Sequence, residues 1–115
     1  MSFWTKVFKR SWTIPIIRLD GVIGSSGQFG GGGLSDSSLA PVLEKAFDIP
    51  RIEVVAIIIN SPGGSPTQSS LIAARIKRLA HENNVAVIAF CEDVAASGGY
   101  WLACAADEIY ADENS

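Results

Sequence analysis

A serine between small residues is the part of this sequence best suited to covalent chemistry. Ser97 lies in the run AASGGY, residues 95–100, where its neighbours leave the hydroxyl accessible. We expect a helix to begin there, and the free N–H groups at a helix N-terminus stabilise an anion. If Ser97 attacked a carbonyl, the N–H of Gly98 could donate to the oxyanion. The other interpretation is structural, because serine is a preferred N-cap and glycine permits close packing.

A second segment, Pro62-Gly63-Gly64, could supply the other donor that such chemistry needs. It follows an apolar run, and its glycines present unhindered N–H groups. An oxyanion hole uses two donors, of which one could come from this turn and one from the residue after the serine. The alternative is a plain strand-to-helix connection in which Ser65 or Thr67 caps the helix. No Lys follows the glycines, so the turn does not match a phosphate-binding loop.

The elements that must position these segments alternate between strand and helix. Short β-branched runs predict strands, and apolar residues at three- and four-residue spacing predict helices. Their order predicts an α/β fold with a mostly parallel sheet, in which sites lie at the carboxyl ends of the strands. The predicted strands cover residues 14–23, 54–59, 85–90 and 108–111, and the predicted helices run from Asp36 or Ser37 to Phe47, from the end of the 60–66 turn to about Glu82, and from Ser97 or Gly98 to about Ala106.

Several details of this pattern give sharper predictions. The runs VVAIII and VAVIAF are apolar on both faces, which is typical of strands covered by helices on both sides. The glycine-rich stretch 24–38 predicts a flexible loop, because consecutive glycines do not easily hold a regular element. Pro41 is tolerated only in the first turn of its helix. Residues 91–96, after the third strand, are predicted to be a loop.

Composition excludes several classes of function. The chain has 115 residues, enough for one domain, and 48% of them are hydrophobic against 18% charged. Nine Lys and Arg against twelve Asp and Glu give a formal net charge of −3, which disfavours a nucleic-acid partner. Cys91 and Cys104 form neither a disulfide framework nor a metal-ligand cluster, and no His lies near either in the sequence. We therefore expect no zinc site.

The first 13 residues form a basic and aromatic arm. They lack the apolar core and cleavage site of a secretory signal, and no stretch of the chain approaches the ~20 apolar residues of a spanning helix. An arm with this pattern can lie against a membrane surface, but the alternative that we favour is an arm that packs on the domain or on a partner subunit. We expect a cytoplasmic protein or one held peripherally at the inner membrane. The apolar residues at helical spacing are Phe3, Trp4, Val7, Phe8 and Trp12, and the basic residues are Lys6, Lys9 and Arg10.

Two motifs together resemble the signal peptide peptidase A (SppA) family of serine peptidases, within the Clp-protease/crotonase superfamily. They are IINSPGGSP and, about thirty residues later, DVAASGGYWLACAADEIYA, and the resemblance covers roughly residue 14 to the end. It implies a Clp-protease/crotonase-like α/β fold, with residues 14–115 as the N-terminal portion of a peptidase domain. It also implies peptide substrates, including cleaved signal peptides, assembly into a homo-oligomer, and no metal or cofactor.

The same resemblance assigns roles to individual residues. Ser97 is the expected nucleophile, and the N–H groups of Gly64 and Gly98 are the expected oxyanion hole. The family's general base is a lysine from a later segment, yet this sequence has no Lys, Arg or His after His81. A serine without a base is a weak nucleophile, so we expect the 115-residue chain alone to be inactive. The candidates for contact with substrate are Gly63, Ser65, Gly99 and Tyr100.

Two other functions stay open at this point. Without the lysine, the chain could be an inactive fragment or a peptide-binding module that keeps the oxyanion site. A crotonase-type acyl-CoA enzyme would use a similar pair of N–H groups, but neither NSPGGSP nor ASGGY contains a Glu. His81 is a poor substitute base, because it lies at the end of a predicted helix, far along the chain from Ser97. Lys45 and Lys77 fall on the polar sides of their helices, where lysines are ordinarily solvated.

Overall fold

A computed structural model describes residues 13–24 and 33–111 of the chain. The predicted membrane-contacting side chains of the arm lie outside the described residues, and so does most of the glycine-rich stretch 24–38. Within the described residues, no helix is both long enough and apolar enough to cross a membrane. The side chains of the arm that fall outside are Phe3, Trp4, Phe8 and Trp12.

Strands and helices alternate along the described residues, as the sequence predicted. The four strands are parallel and lie side by side in the order β1-β2-β3-β4. This arrangement confirms the α/β fold class with a parallel sheet. The elements are β1 Ile16–Asp20, α1 Asp36–Phe47, β2 Val54–Ser61, α2 Pro66–Asn83, β3 Ala86–Ala95, α3 Gly98–Ala103 and β4 Glu108–Ala111.

Capping residues set where the helices begin and end. Ser35, one residue before the predicted cap, closes a capping box with Ser38 at the start of α1. Helix α2 has Ser65 as its N-cap and Pro66 in its first turn, where a missing N–H removes no helix bond. Pro41 lies in the second turn of α1, so the prediction that it must lie in the first turn is wrong. The missing N–H of Pro41 leaves the carbonyl of Ser37 without its helix partner, and both residues are exposed, so water can bond to that carbonyl.

The ends of several strands and helices differ from the predicted ends where contacts between distant segments determine them. β1 ends at Asp20 because Gly21, at φ 97, turns the chain, and Ile23 then bridges Leu34 and Gly64 instead. β3 includes most of the predicted 91–96 loop, since it pairs with β2 past an irregularity as far as Ser61 and Ala95. The third helix is shorter than predicted and ends at Ala103.

All three helices pack on one face of the sheet. Each crossover moves one strand further in the same direction, and right-handed crossovers then leave every helix on the same side. Among the described residues no helix covers the other face of β2 and β3, where Phe90 is 42% exposed, so the described structure does not show the predicted helices on both sides. The core between sheet and helices includes Leu19, Val55, Ile57, Ile59 and Val87 from the strands and Leu43, Phe47, Ile72, Ile76 and Leu102 from the helices.

Candidate active site

The carboxyl ends of β2 and β3 bring the two predicted segments into contact. The N–H of Ala96 donates to the carbonyl oxygen of Ser61 at 3.2 Å, which extends the strand pairing into the turn before α3. A Cβ built on Gly63 would lie 2.8 Å from the Gly98 nitrogen and 2.9 Å from the Ser97 Cβ. The turn after β2 therefore lies directly against the start of α3, and Ser97 lies where they meet.

Ser97 adopts a backbone conformation that few side chains tolerate. Its φ of 50° and ψ of −116° fall outside the common regions for a residue with a Cβ. Such a conformation costs on the order of 1–3 kcal/mol and is found disproportionately at functional sites. Although Ser97 occupies the N-cap position of α3, its side chain makes no capping hydrogen bond, and the residue is exposed. The capping interpretation therefore does not describe what its hydroxyl does.

The glycine turn is held by the strand-like segment at Ile23. The Ile23 N–H donates to the Gly63 carbonyl at 2.9 Å, and the Ser65 N–H donates to the Ile23 carbonyl at 2.8 Å. Gly63 and Gly64 have φ values of 99° and 148°, and a Cβ on Gly64 would collide with the Ile23 carbonyl oxygen. Only glycine fits at position 64, because both the backbone angle and the space exclude a side chain.

The two segments that meet at Ser97 each keep one backbone donor. Within residues 13–24 and 33–111, the N–H groups of Gly64 and Gly98 have no acceptor. The N–H of Gly63 is already bonded to the Ser61 hydroxyl oxygen at 3.1 Å, and that of Gly99 to the Ala96 carbonyl at 2.9 Å. The N–H groups of Gly64 and Gly98 are thus the same two amides that the family resemblance predicted as an oxyanion hole.

Two fully buried serines beneath this turn were missed by the sequence analysis. Ser61 accepts from Gly63 through its hydroxyl, and a Cβ on Gly99 would approach its carbonyl oxygen to 2.6 Å. Ser69 on α2 donates its hydroxyl to the Ser65 carbonyl at 2.8 Å, and its oxygen touches the position of a Cβ on Gly98. A polar residue at an inward position of an apolar strand was the signal that could have revealed Ser61.

The four residues named as candidates for substrate contact are placed differently from one another. The Ser65 hydroxyl accepts from the Gln68 N–H at 3.1 Å, so it caps α2. Gly63 and Gly99 are buried against neighbouring backbone. Tyr100 is 57% exposed on α3, and its hydrogen bond with Cys104 raises the pKa of its phenol. Tyr100 is thus the member of this set whose side chain reaches solvent beside Ser97.

The lysines and the histidine that the structure describes lie elsewhere. Lys77 and His81 line a cleft at the opposite end of the sheet, beside Asn84 and Ala86 where β3 begins. A ten-residue strand such as β3 spans about 30 Å, so that cleft is remote from Ser97. Lys45 is exposed in the last turn of α1. Of the residues that the structure describes, no group of three or more His, Cys, Asp or Glu could hold a metal ion.

Comparison with known proteins places this arrangement in a family. The model of peptidase family S49 matches residues 80–115, which include β3, Ser97, α3 and β4. Protease 4 of Haemophilus influenzae is 36% identical over 104 residues, covering 89% of this chain and 16% of that protein. This chain carries an SppA-like segment of peptidase family S49. The serine protease SPPA of Arabidopsis thaliana is 45% identical over 62 residues, covering 54% of this chain and 9% of that protein.

A further relative of the S49 segment bears a different name. The Na(+)/H(+) antiporter NhaA of Brucella melitensis is 53% identical over 102 residues, covering 89% of this chain and 14% of that protein. The chain thus spans less than a fifth of the length of each of these three relatives. The similarity concerns a segment, and whatever the longer proteins do as a whole involves residues beyond it.

Proposed function

We propose that this S49 segment carries the nucleophile and oxyanion hole of a serine endopeptidase. The observation that carries the proposal is the contact between the Gly63–Gly64 turn and the start of α3, where Ser97 is strained and uncapped. One N–H from each segment, that of Gly64 and that of Gly98, lacks an acceptor among the described residues. A hydroxyl that is free of capping, exposed and set beside such donors fits attack on a carbonyl. The peptidase names of two relatives support the same reaction class.

The reaction would begin with the Ser97 hydroxyl oxygen forming a bond to a peptide carbonyl carbon. The hydroxyl proton passes to a neutral lysine amine supplied by residues beyond this sequence, whose pKa must be lowered by burial or by a nearby positive charge. The negative carbonyl oxygen then accepts from Gly64 and Gly98, and each such donor is worth roughly 10²–10³ in rate. The C–N bond breaks as the lysine returns the proton to the leaving amine, and water hydrolyses the acyl-enzyme by the same steps.

Signal peptides and other unfolded peptides are the substrates that we propose. The resemblance to the SppA family suggests them, and an extended peptide can pair with an exposed sheet edge through its backbone. β4 is such an edge, since all four of its residues are exposed. The position of Tyr100 beside Ser97 offers an aromatic surface to a substrate side chain.

A second candidate is a peptide-binding module without turnover. It is favoured by a specific observation: Lys45, Lys77 and His81 lie away from Ser97 in the described structure, and none of Lys, Arg and His follows His81 in the sequence. The same two N–H groups would then hold a peptide carbonyl, and no proton acceptor would start the reaction.

Labelling with a fluorophosphonate, which reacts with activated serines, tests the first candidate. We expect covalent label at Ser97 in the protein expressed from the complete reading frame that contains these residues, and none in the 115-residue chain. Ser97→Ala should abolish the label, whereas Ser70→Ala, at an exposed serine of α2, should leave it unchanged. Peptide mapping by mass spectrometry locates the modified residue.

The outcomes separate the two candidates. No label at Ser97 in the protein from the complete reading frame would overturn the peptidase and favour the binding module. Strong labelling of the 115-residue chain that depends on Ser97 would contradict the need for a lysine beyond it. If the module interpretation holds, an unlabelled Ser97→Ala chain should still bind an unfolded peptide, as measured by fluorescence anisotropy.

A further inference from the structure

Ile23 touches both of the segments that meet at Ser97. Its backbone bonds to the glycine turn twice, since the Ile23 N–H donates to the Gly63 carbonyl at 2.9 Å and the Ile23 carbonyl accepts from the Ser65 N–H at 2.8 Å. Its side chain reaches the other segment, because its δ1 methyl lies 3.2 Å from the position that a Cβ on Gly98 would take. Ile23 is 1% exposed, so these contacts lie inside the protein.

The bond from Ile23 to Gly63 sets the direction of the Gly64 N–H. The Gly63 carbonyl and the Gly64 N–H belong to one trans peptide, so they point in opposite directions. While the carbonyl is bonded to the Ile23 N–H, the Gly64 N–H is directed away from the Ile23 backbone. If this peptide turned over, a carbonyl oxygen would replace the donor and repel an oxyanion.

The side chain of Ile23 packs against the residue that carries the second donor. A Cβ built on Gly98 would overlap the Ser69 hydroxyl oxygen and press on the Ile23 δ1 methyl, so Gly98 lies directly against these two buried side chains. Protein interiors leave few voids, and removal of the methyl would open a gap beside Gly98. The start of α3, which carries the Gly98 N–H, would then be free to shift.

We propose that Ile23 is a positioning residue that holds the N–H groups of Gly64 and Gly98 in place for one oxyanion. This inference rests on the proposed peptidase function. Ile23 has no group free for substrate, because its N–H and carbonyl are both bonded and its side chain is buried. It acts through the two glycines. The oxyanion forms only as the reaction proceeds, so a loss of position lowers kcat and leaves KM unchanged.

Removal of one methyl group tests the side-chain contact. Ile23→Val is made in the protein expressed from the complete reading frame, and kinetics are measured on a β-casein peptide with a fluorophore and a quencher at its ends. We expect kcat to fall about tenfold with KM within about twofold of the wild type, since a misplacement of about 1 Å can cost 10²-fold in rate.

The matched control for this variant is Ile57→Val. Ile57 is an isoleucine of β2 that is also 1% exposed, so the same methyl is lost from an equally buried position. We expect kcat and KM of this control to stay near the wild-type values. Thermal denaturation should show similar losses in the two valine variants, which separates a change of position from a general loss of stability.

Replacement of a backbone amide by an ester tests the hydrogen bond. The α-hydroxy analogue of isoleucine at position 23, introduced by nonsense suppression in cell-free synthesis, keeps the side chain and removes the N–H that donates to Gly63. We expect kcat to fall about 100-fold, because the Gly63–Gly64 peptide is then free to turn. This ester also weakens the Val22 carbonyl, which accepts from the Leu34 N–H at 2.9 Å. The control ester at position 34 removes that bond altogether and should keep the wild-type kcat.

The outcomes separate this inference from the function on which it rests. A wild type that neither cleaves the peptide nor takes a fluorophosphonate label at Ser97 would overturn the proposed function and the inference together. If the wild type is active, a kcat for Ile23→Val no lower than that of Ile57→Val would overturn the inference alone. A wild-type kcat for the position-23 ester, or a rise in KM at unchanged kcat in either Ile23 variant, would do the same.

Discussion

The two ends of the sheet differ in how they combine side-chain chemistry with backbone constraint. At the amino ends of the strands, a cleft gathers Lys77, His81 and Cys104, which are the residue types that a search for catalysts would select. At the carboxyl ends, the structure places no described lysine or histidine beside Ser97, but it holds that residue in a strained conformation. Asn84 in the cleft also has a positive φ, but its φ and ψ of 53° and 50° are those of an ordinary helix C-cap.

The proposed site therefore rests on backbone constraint and not on the types of titratable side chain that are present. A cleft with titratable side chains arises wherever helix and strand ends meet solvent. A strained serine and glycines that no side chain can replace persist only where the surrounding structure enforces them. Substitutions at the carboxyl end of the sheet should have the largest effects, and a substitution at the amino end should have the smallest.

The largest effect is expected from Gly64→Ala. The added Cβ meets the Ile23 carbonyl oxygen at a φ of 148°, so both overlap and backbone strain oppose it. We expect the free energy of unfolding to fall by roughly 2–4 kcal/mol. Urea denaturation followed by circular dichroism measures it. Gly21→Ala is the matched control, because its φ is also positive, at 97°, but nothing lies within 4 Å of the added Cβ. Equal losses in the two variants would show that the close approach at Ile23 is unimportant.

Ser61→Ala should have the next largest effect. Its hydroxyl is the acceptor for the buried Gly63 N–H, and an unpaired buried donor costs about 1–3 kcal/mol. Ser69→Ala removes an equally buried hydroxyl that only donates to Ser65, whose carbonyl already accepts from the Ser69 N–H. The second variant should therefore lose less, under about 1 kcal/mol. Thermal denaturation of both variants measures the two losses of stability. A larger loss in Ser69→Ala than in Ser61→Ala would contradict the role given to the Ser61 hydroxyl.

Ser97→Gly should stabilise the fold while removing the proposed nucleophile. Glycine adopts a φ of 50° without the strain that a Cβ brings, so we expect a gain of about 1 kcal/mol. In contrast, Ser70→Gly, within α2 and exposed, should lose about 0.5 kcal/mol because glycine disfavours helix. Chemical denaturation gives the sign of each change. A loss of stability in Ser97→Gly would mean that the Ser97 conformation stores no strain.

The ion pair that joins α1 to α2 should give a pH dependence at a distance from the site. Hydrogen bonds from Arg75, of which the shorter is 2.7 Å, lower the pKa of Asp36 below its usual value of 3.8. Since the folded pKa is the lower one, this stabilisation is fully present above pH 3.8 and is lost as pH falls through the folded value.

Asp36→Asn tests that dependence. At pH 7 the variant should have a lower melting temperature than the wild type. The difference between the two melting temperatures should become smaller as the pH falls below 4. Asp48→Asn, at the exposed C-cap of the same helix, serves as control and should keep the wild-type acid transition. A gap between Asp36→Asn and the wild type that stays constant down to pH 2 would refute the role of this carboxylate.

The smallest effect is expected at the amino end. His81→Ala should leave the extent of labelling at Ser97 unchanged, since His81 is exposed and remote from Ser97. The free energy of unfolding should stay within about 0.5 kcal/mol of the wild type. Competitive fluorophosphonate labelling of the protein from the complete reading frame measures the first quantity. A marked loss of label would show that the amino end of the sheet takes part in the chemistry at Ser97.

The sequence anticipated the alternation of elements because its signals were local. Apolar runs of strand length, glycine-rich turns and helix-spaced apolar residues all lie within one element, so β2, α2 and β4 were found close to their true bounds. The continuation of β3 through residues 91–95 was missed because it depends on pairing with Ser61, which lies in another strand. The sequence could name the candidate residues Ser97, Gly64 and Gly98, but it could not show that the turn after β2 contacts the start of α3.

The sequence alone therefore determined the fold class and the turns at the carboxyl ends of the strands. It also shows that no Lys, Arg or His follows His81. Tertiary structure decided the rest: that Ser97 leaves its hydroxyl uncapped at a φ of 50°, that the Ser61 hydroxyl accepts from the Gly63 amide, and that the three described helices pack on one face of the sheet. The physical reason is that strain, buried hydrogen bonds and the side on which a helix packs are properties of contacts between distant segments. No single stretch of residues encodes them.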